Sequence, residues 1–120
     1  MSTILLVSDN DRVIDSVHSA LTDPDMTIID QRDPAQATEV AYSQEVDVVL
    51  VDMRVDSMGA IAVTHAIRDA AIDRDPIPVT ILLDREVDAF MANRSGAGWV
   101  MKFAPAGELR QAVSTTGSPT

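Results

Sequence analysis

Val46-Asp47-Val48-Val49-Leu50-Val51-Asp52 is a nearly continuous aliphatic run closed by a carboxylate. A run this apolar, only six residues long before its closing acid, reads as a strand buried on both faces, as in a parallel sheet covered by helices. Two further runs repeat the pattern. Ile4-Leu5-Leu6-Val7 is followed by Ser8-Asp9, and Trp99-Val100-Met101 is followed by Lys102. Parallel strands all point one way, so residues that follow them gather at one edge of the sheet, where the ligand crevices of open α/β folds lie. Two carboxylates, Asp9 and Asp52, and the ammonium of Lys102 are therefore expected to converge.

The segments between these runs have helical spacing. Asn10 to Leu21 repeats Val13, Ile14, Val17 and Leu21 on one face, and Asp23-Pro24-Asp25 then signals a turn. Met26 to Ile29 reads as a second strand. Asp33-Pro34 is an N-cap and first-turn pair for a helix through Val40 and Tyr42. After the central run, Met53 to Gly59 has no period and reads as a loop, followed by a helix over Ala60 to Ala70. Asp75-Pro76-Ile77-Pro78 breaks the chain before a fourth strand, Ile77 to Leu83. Arg85 to Arg94 is expected to form a helix that buries Val87, Phe90 and Met91 as core, not as partner surface. Gly96 and Gly98 introduce the fifth strand, and Pro105 opens a last helix through Leu109 and Val113. Ser114 to Thr120 is too polar to pack and reads as a flexible tail.

Five strands alternating with five helices predict an α/β domain over residues 1–113, with a tail over 114–120. Right-handed crossovers favour the flavodoxin-like (βα)5 arrangement, a doubly wound five-stranded parallel sheet in the order 2-1-3-4-5. That order sets a switch point between strands one and three, flanked by Asp9 and Asp52.

The bulk properties agree. At 120 residues the chain makes one domain, and a formal net charge of −10 argues against contact with nucleic-acid phosphates. Cysteine is absent, which excludes disulfides and thiolate metal sites, and the N-terminal apolar run is too short for a signal peptide or a membrane span. A soluble cytoplasmic protein with no membrane partner is expected. His18 and His65 each stand alone, without a second ligand at metal spacing. No glycine-rich loop follows the first strand, where Ser8-Asp9-Asn10-Asp11 would repel phosphate, so a flavin or nucleotide binder of this fold is disfavoured.

Ile4 to Asn10, Val46 to Asp52, Ile77-Pro78-Val79, and Gly98 to Lys102 with Glu108-Leu109, taken in order, resemble the receiver domains of two-component response regulators, of the chemotaxis-receiver kind. The resemblance covers nearly the whole chain. It implies a phosphorelay protein in which Asp52 accepts a phosphoryl group from a histidine kinase and Lys102 contacts that group. It also implies a Mg²⁺ ion held by Asp9, Asp52 and a main-chain carbonyl near Arg54, and output through a downstream protein partner. A carboxylate nucleophile attacking a phosphoryl group brings anions together, which is why a cation and a lysine belong there.

The departures make the chain atypical. Ser8 stands where the family has the first of two acids, so Mg²⁺ binding is expected to be weak; Asp11 suits the first turn of the following helix better than the metal. Leu83 occupies the position of the hydroxyl that senses the phosphoryl group. Trp99 matches the aromatic switch residue, and beside Leu83 it is expected to pack as a fixed plug. Phe103 follows Lys102 where the family has a cis proline, so a trans bond is expected there. The rival reading is a pseudo-receiver, a constitutive interaction module that works without phosphorylation. More mundane roles also stand beside the site: Asp52 as a cap or turn residue, Asp9 as the cap of the first helix, and Lys102 as a solvated lysine.

Overall fold

The computed structural model describes residues 2–53 and 59–117. Its elements alternate without exception: β1 (Ser2–Val7), α1 (Asp11–Ala20), β2 (Met26–Gln31), α2 (Ala37–Ser43), β3 (Val48–Asp52), α3 (Ala60–Asp69), β4 (Val79–Leu83), α4 (Ala89–Ser95), β5 (Gly98–Met101) and α5 (Ala106–Gly117). Short 3₁₀ turns, Pro34–Gln36 and Glu86–Asp88, lead into α2 and α4. The strands form one sheet in the order β2-β1-β3-β4-β5 with every pairing parallel, the expected flavodoxin-like arrangement.

Successive side chains of a strand point to opposite faces, and the aliphatic runs therefore feed two cores. Ile4, Leu6, Val48, Leu50, Leu82 and Val100 pack with Val13 and Val17 of α1 and Leu109 and Val113 of α5. On the other face Leu5, Val7, Val49, Val51, Ile81 and Leu83 meet Ala37 and Ala41 of α2, Val63 and Ile67 of α3, and Ala92 of α4. All five residues of β3 are buried, as are all five of β4, which explains why neither shows polar alternation.

Three expectations about the helices need correction. The first concerns α4. Val87, Phe90 and Met91 do not enter the core; they are 64%, 57% and 41% exposed. The helix instead buries Ala92 and Ser95, because small side chains let it lie close to the sheet and leave no room for the large ones. The second concerns the C-terminal end, where α5 runs to Gly117, four residues beyond Val113, so the first part of the expected tail is helical. The third concerns the cap of α1, which is Asn10 and not Asp9. Asn10 Oδ1 accepts from the backbone N–H groups of Arg12 at 2.9 Å and Val13 at 3.3 Å.

Strand four starts two residues later than expected, at Val79, since Pro76 and Pro78 have no N–H to give a ladder. The Pro78 carbonyl still accepts from Val49 N–H. Asp33 caps the turn before α2 as expected, accepting from Ala35 N–H at 3.0 Å. Among the described residues no helix is long and apolar enough to cross a membrane.

Candidate functional site

The parallel register decides which residues meet at the C-terminal edge of the sheet. Val7 lies beside Val51, so Ser8 comes opposite Asp52. The Ser8 hydroxyl donates to Asp52 Oδ2 at 2.9 Å, and its oxygen accepts from Asn10 N–H at 3.1 Å. Asp52 ends β3 and is buried; α3 has its own cap at Gly59, so Asp52 is not a helix cap.

Lys102 follows β5, two strands from Asp52, and its long side chain crosses the end of β4 to reach it. Its Nζ lies 2.5 Å from Asp52 Oδ1, and the two side chains are only 6% and 2% exposed. A buried ammonium in contact with a carboxylate is not a solvated surface lysine. It is also the one lysine in the chain.

A third acid, Asp84, completes the cluster. Leu83 pairs with Met101, so Asp84 and Lys102 leave their strands side by side, and Asp84 Oδ1 accepts from the same Nζ at 2.7 Å. The signal was present in the sequence: Asp84 follows the fourth apolar run just as Lys102 follows the fifth. Asp9 is half-buried beside Ser8, and its carbonyl accepts from Arg32 Nη1 at 3.3 Å. Asp11 is exposed in the first turn of α1 and pairs with Arg32, whose pKa it raises by hydrogen bonding and by its charge. That pairing turns Asp11 away from the role of a substitute metal ligand. His18 pairs with Asp30 of β2 at 2.8 Å on the surface.

Leu83 is fully buried, and half-buried Trp99 packs against the same apolar cluster. Among the described residues no peptide bond is cis, so Lys102–Phe103 is trans. The chain turns there instead through Phe103, whose φ is 60°, with Ala104 N–H donating to the Met101 carbonyl at 3.3 Å. A positive φ at a non-glycine residue is uncommon, and at the third position of a type II turn it is what the geometry requires. The turn keeps Lys102 inside the site without a cis bond.

Among the described residues no three His, Cys, Asp or Glu side chains form a metal-binding group. Asp9 follows β1 and Asp52 ends the neighbouring β3, so two hard-oxygen donors leave the sheet at one edge. Mg²⁺ takes one or two carboxylates and keeps much of its water, so this donor set fits that ion. The carbonyl of Arg54 lies outside the described residues.

The sequence matches the response regulator receiver domain family over residues 4–114. Among solved structures the chain is similar to the N-terminal signal receiver domain of a two-component response regulator from Bacteroides fragilis, with 25% identity, 98% of each chain covered and a TM-score of 0.82. It is similar at 20% identity to the BeF3-activated N-terminal receiver domain of Klebsiella pneumoniae RstA, covering 98% of this chain and 99% of that one, with a TM-score of 0.82. A third likeness, at 21% identity, 97% coverage of both chains and a TM-score of 0.80, is to the receiver domain of the sensor histidine kinase PA1611 from Pseudomonas aeruginosa, which has a magnesium ion coordinated in its active site cleft. No curated protein matches the sequence. With a family match spanning nearly its whole length and a sheet wound in the order that match requires, this chain belongs to the response regulator receiver domain family.

Proposed function

We propose that this receiver domain takes part in phosphorelay signalling by accepting a phosphoryl group on Asp52, from a histidine kinase or a small phosphodonor, and that it acts on a downstream protein partner. The observation that carries the reading is the buried Asp52 carboxylate held at 2.5 Å from Lys102 Nζ at the end of the central strand. In the transfer, an Asp52 oxygen forms a bond to phosphorus while the bond from phosphorus to the donor breaks, phosphorus–nitrogen for a phosphohistidine and phosphorus–oxygen for acetyl phosphate, and the bonding pair leaves with the donor. Lys102 follows the negative charge from the carboxylate to the phosphoryl oxygens. Ser8 holds the other Asp52 oxygen and so fixes the plane of the carboxylate.

Asp9, Asp52 and the Arg54 carbonyl are the groups that would hold Mg²⁺. Bound there, it would neutralise charge on the transferring group. The binding is weak in this reading, because Ser8 brings a hydroxyl where a second acid would bring a charge. A net charge of −10 is in keeping with protein partners, not nucleic acid, and a cytoplasmic setting goes with such partners.

One observation favours the second reading, a pseudo-receiver that works as a constitutive interaction module: Leu83 is fully buried at the end of β4 and has no hydroxyl to follow a phosphoryl group. Intact mass after incubation with acetyl phosphate and Mg²⁺ separates the two. The parent protein should gain one phosphoryl group and Asp52→Asn none. A folded parent that gains nothing leaves the constitutive reading in place, and labelling of Asp52→Asn assigns the acceptor elsewhere.

A further inference from the structure

We infer that Asp84 is a competing counter-ion for Lys102 that slows phosphoryl acceptance, an electrostatic brake at the mouth of the site; the inference rests on Asp52 being the acceptor. One ammonium serves two carboxylates here, at 2.5 Å for Asp52 and 2.7 Å for Asp84. The arrangement follows from register and not from a chance rotamer, since Leu83 and Met101 are partners and the Lys102 N–H donates to the Leu83 carbonyl at 2.9 Å. Those contacts bring Asp84 and Lys102 off the sheet together.

The two carboxylates differ in exposure. Asp52 is 2% exposed and Asp84 is 31% exposed. Asp84 is therefore on the outer side of the ammonium, facing the solvent from which a phosphodonor arrives. A phosphoryl group has between one and two negative charges near neutral pH. It meets an acid at the mouth and a lysine already engaged by that acid, so Lys102 must part from Asp84 before it can serve the new oxygens. With no other lysine in the chain, no second ammonium can take over that task.

Removing the charge while keeping the shape isolates this effect. Asp84→Asn should be phosphorylated by acetyl phosphate roughly two- to fivefold faster than the parent, the scale of a part-exposed ion pair. The advantage should shrink as salt rises, because the competition is screened. Asp84→Glu should keep the slow rate. A second readout needs no phosphodonor: the ¹⁵N signal of the single lysine ammonium should show faster proton exchange with water in Asp84→Asn than in the parent. Thermal melting checks that each variant is folded.

Equal or slower labelling of Asp84→Asn, with Asp52→Asn still unlabelled, overturns the brake while leaving Asp52 as the acceptor. Labelling of Asp52→Asn at the parent's rate overturns the acceptor assignment and the brake with it. Unchanged ammonium exchange in Asp84→Asn shows that Asp84 does not hold Lys102 and also overturns the inference. A rate advantage for Asp84→Asn that salt does not diminish points to steric opening of the mouth and overturns it as well.

Discussion

Ser8 shows how one side chain trades one property for another. A hydroxyl at this position satisfies Asp52 Oδ2 at 2.9 Å and accepts from Asn10 N–H, so the buried carboxylate is held without a metal. A carboxylate in its place would face Asp52 in a site where Ser8 is 1% exposed. Ser8→Asp is therefore expected to lower stability by about 1–3 kcal/mol in chelator, and to recover most of that loss in millimolar Mg²⁺. Urea denaturation with and without the ion reads both effects, and half-buried Trp99 offers a fluorescence signal. A stability that does not respond to Mg²⁺ would show that Ser8 is not beside the ion. Asp11 does not take the place of the missing acid in this network, since it is paired with Arg32.

Helix α4 illustrates how an apolar period can mislead. Val87, Phe90 and Met91 recur on one side of the segment, but Ala92 and Ser95 are what it buries. Hydrophobicity alone favours burying the larger groups; close packing of a short helix on a sheet favours the smaller ones, and here packing prevails. Phe90→Ser is then expected to change stability by less than about 0.5 kcal/mol. Ala92→Leu, at a fully buried position, should cost about 1–3 kcal/mol through overpacking. Thermal denaturation of the pair checks this, and the reverse ranking would return Phe90 to the core. The exposed side of α4 also forms, with Ile61 and His65 of α3, a groove of about 490 Å³.

Across the whole molecule, a phosphoryl group can move a distant surface only by the difference in its interaction with two conformations. Leu83 offers no hydrogen bond to either, and it shares a packed cluster with Trp99. Amide exchange over Ala89–Ser95 and Gly98–Met101 is expected to change little when the parent protein is treated with beryllofluoride, a phosphoryl mimic. Leu83→Thr should enlarge that change by supplying a hydroxyl and freeing volume for Trp99. The same variant should be less stable by about 1–3 kcal/mol in the untreated state, where the new hydroxyl is buried. A large response in the parent would show that another group has taken over coupling between site and surface.

The α/β class and the strand order are legible in the chain, as is the sheet edge that Asp9, Asp52 and Lys102 share, because buried parallel strands are written as short aliphatic runs and whatever follows each run must lie at the same edge. The turn before α2 at Asp33-Pro34 and the helical face of Val13 and Val17 are legible in the same local way. The rest depended chiefly on contacts between distant segments. Whether Asp9 or Asn10 capped α1 depended on a single turn of backbone, and which side of α4 faced the sheet depended on the space left by its neighbours. That Asp84 shares Lys102 with Asp52 depended on the pairing of Leu83 with Met101. Register between strands is set by packing across the whole sheet, and no one segment of sequence contains it.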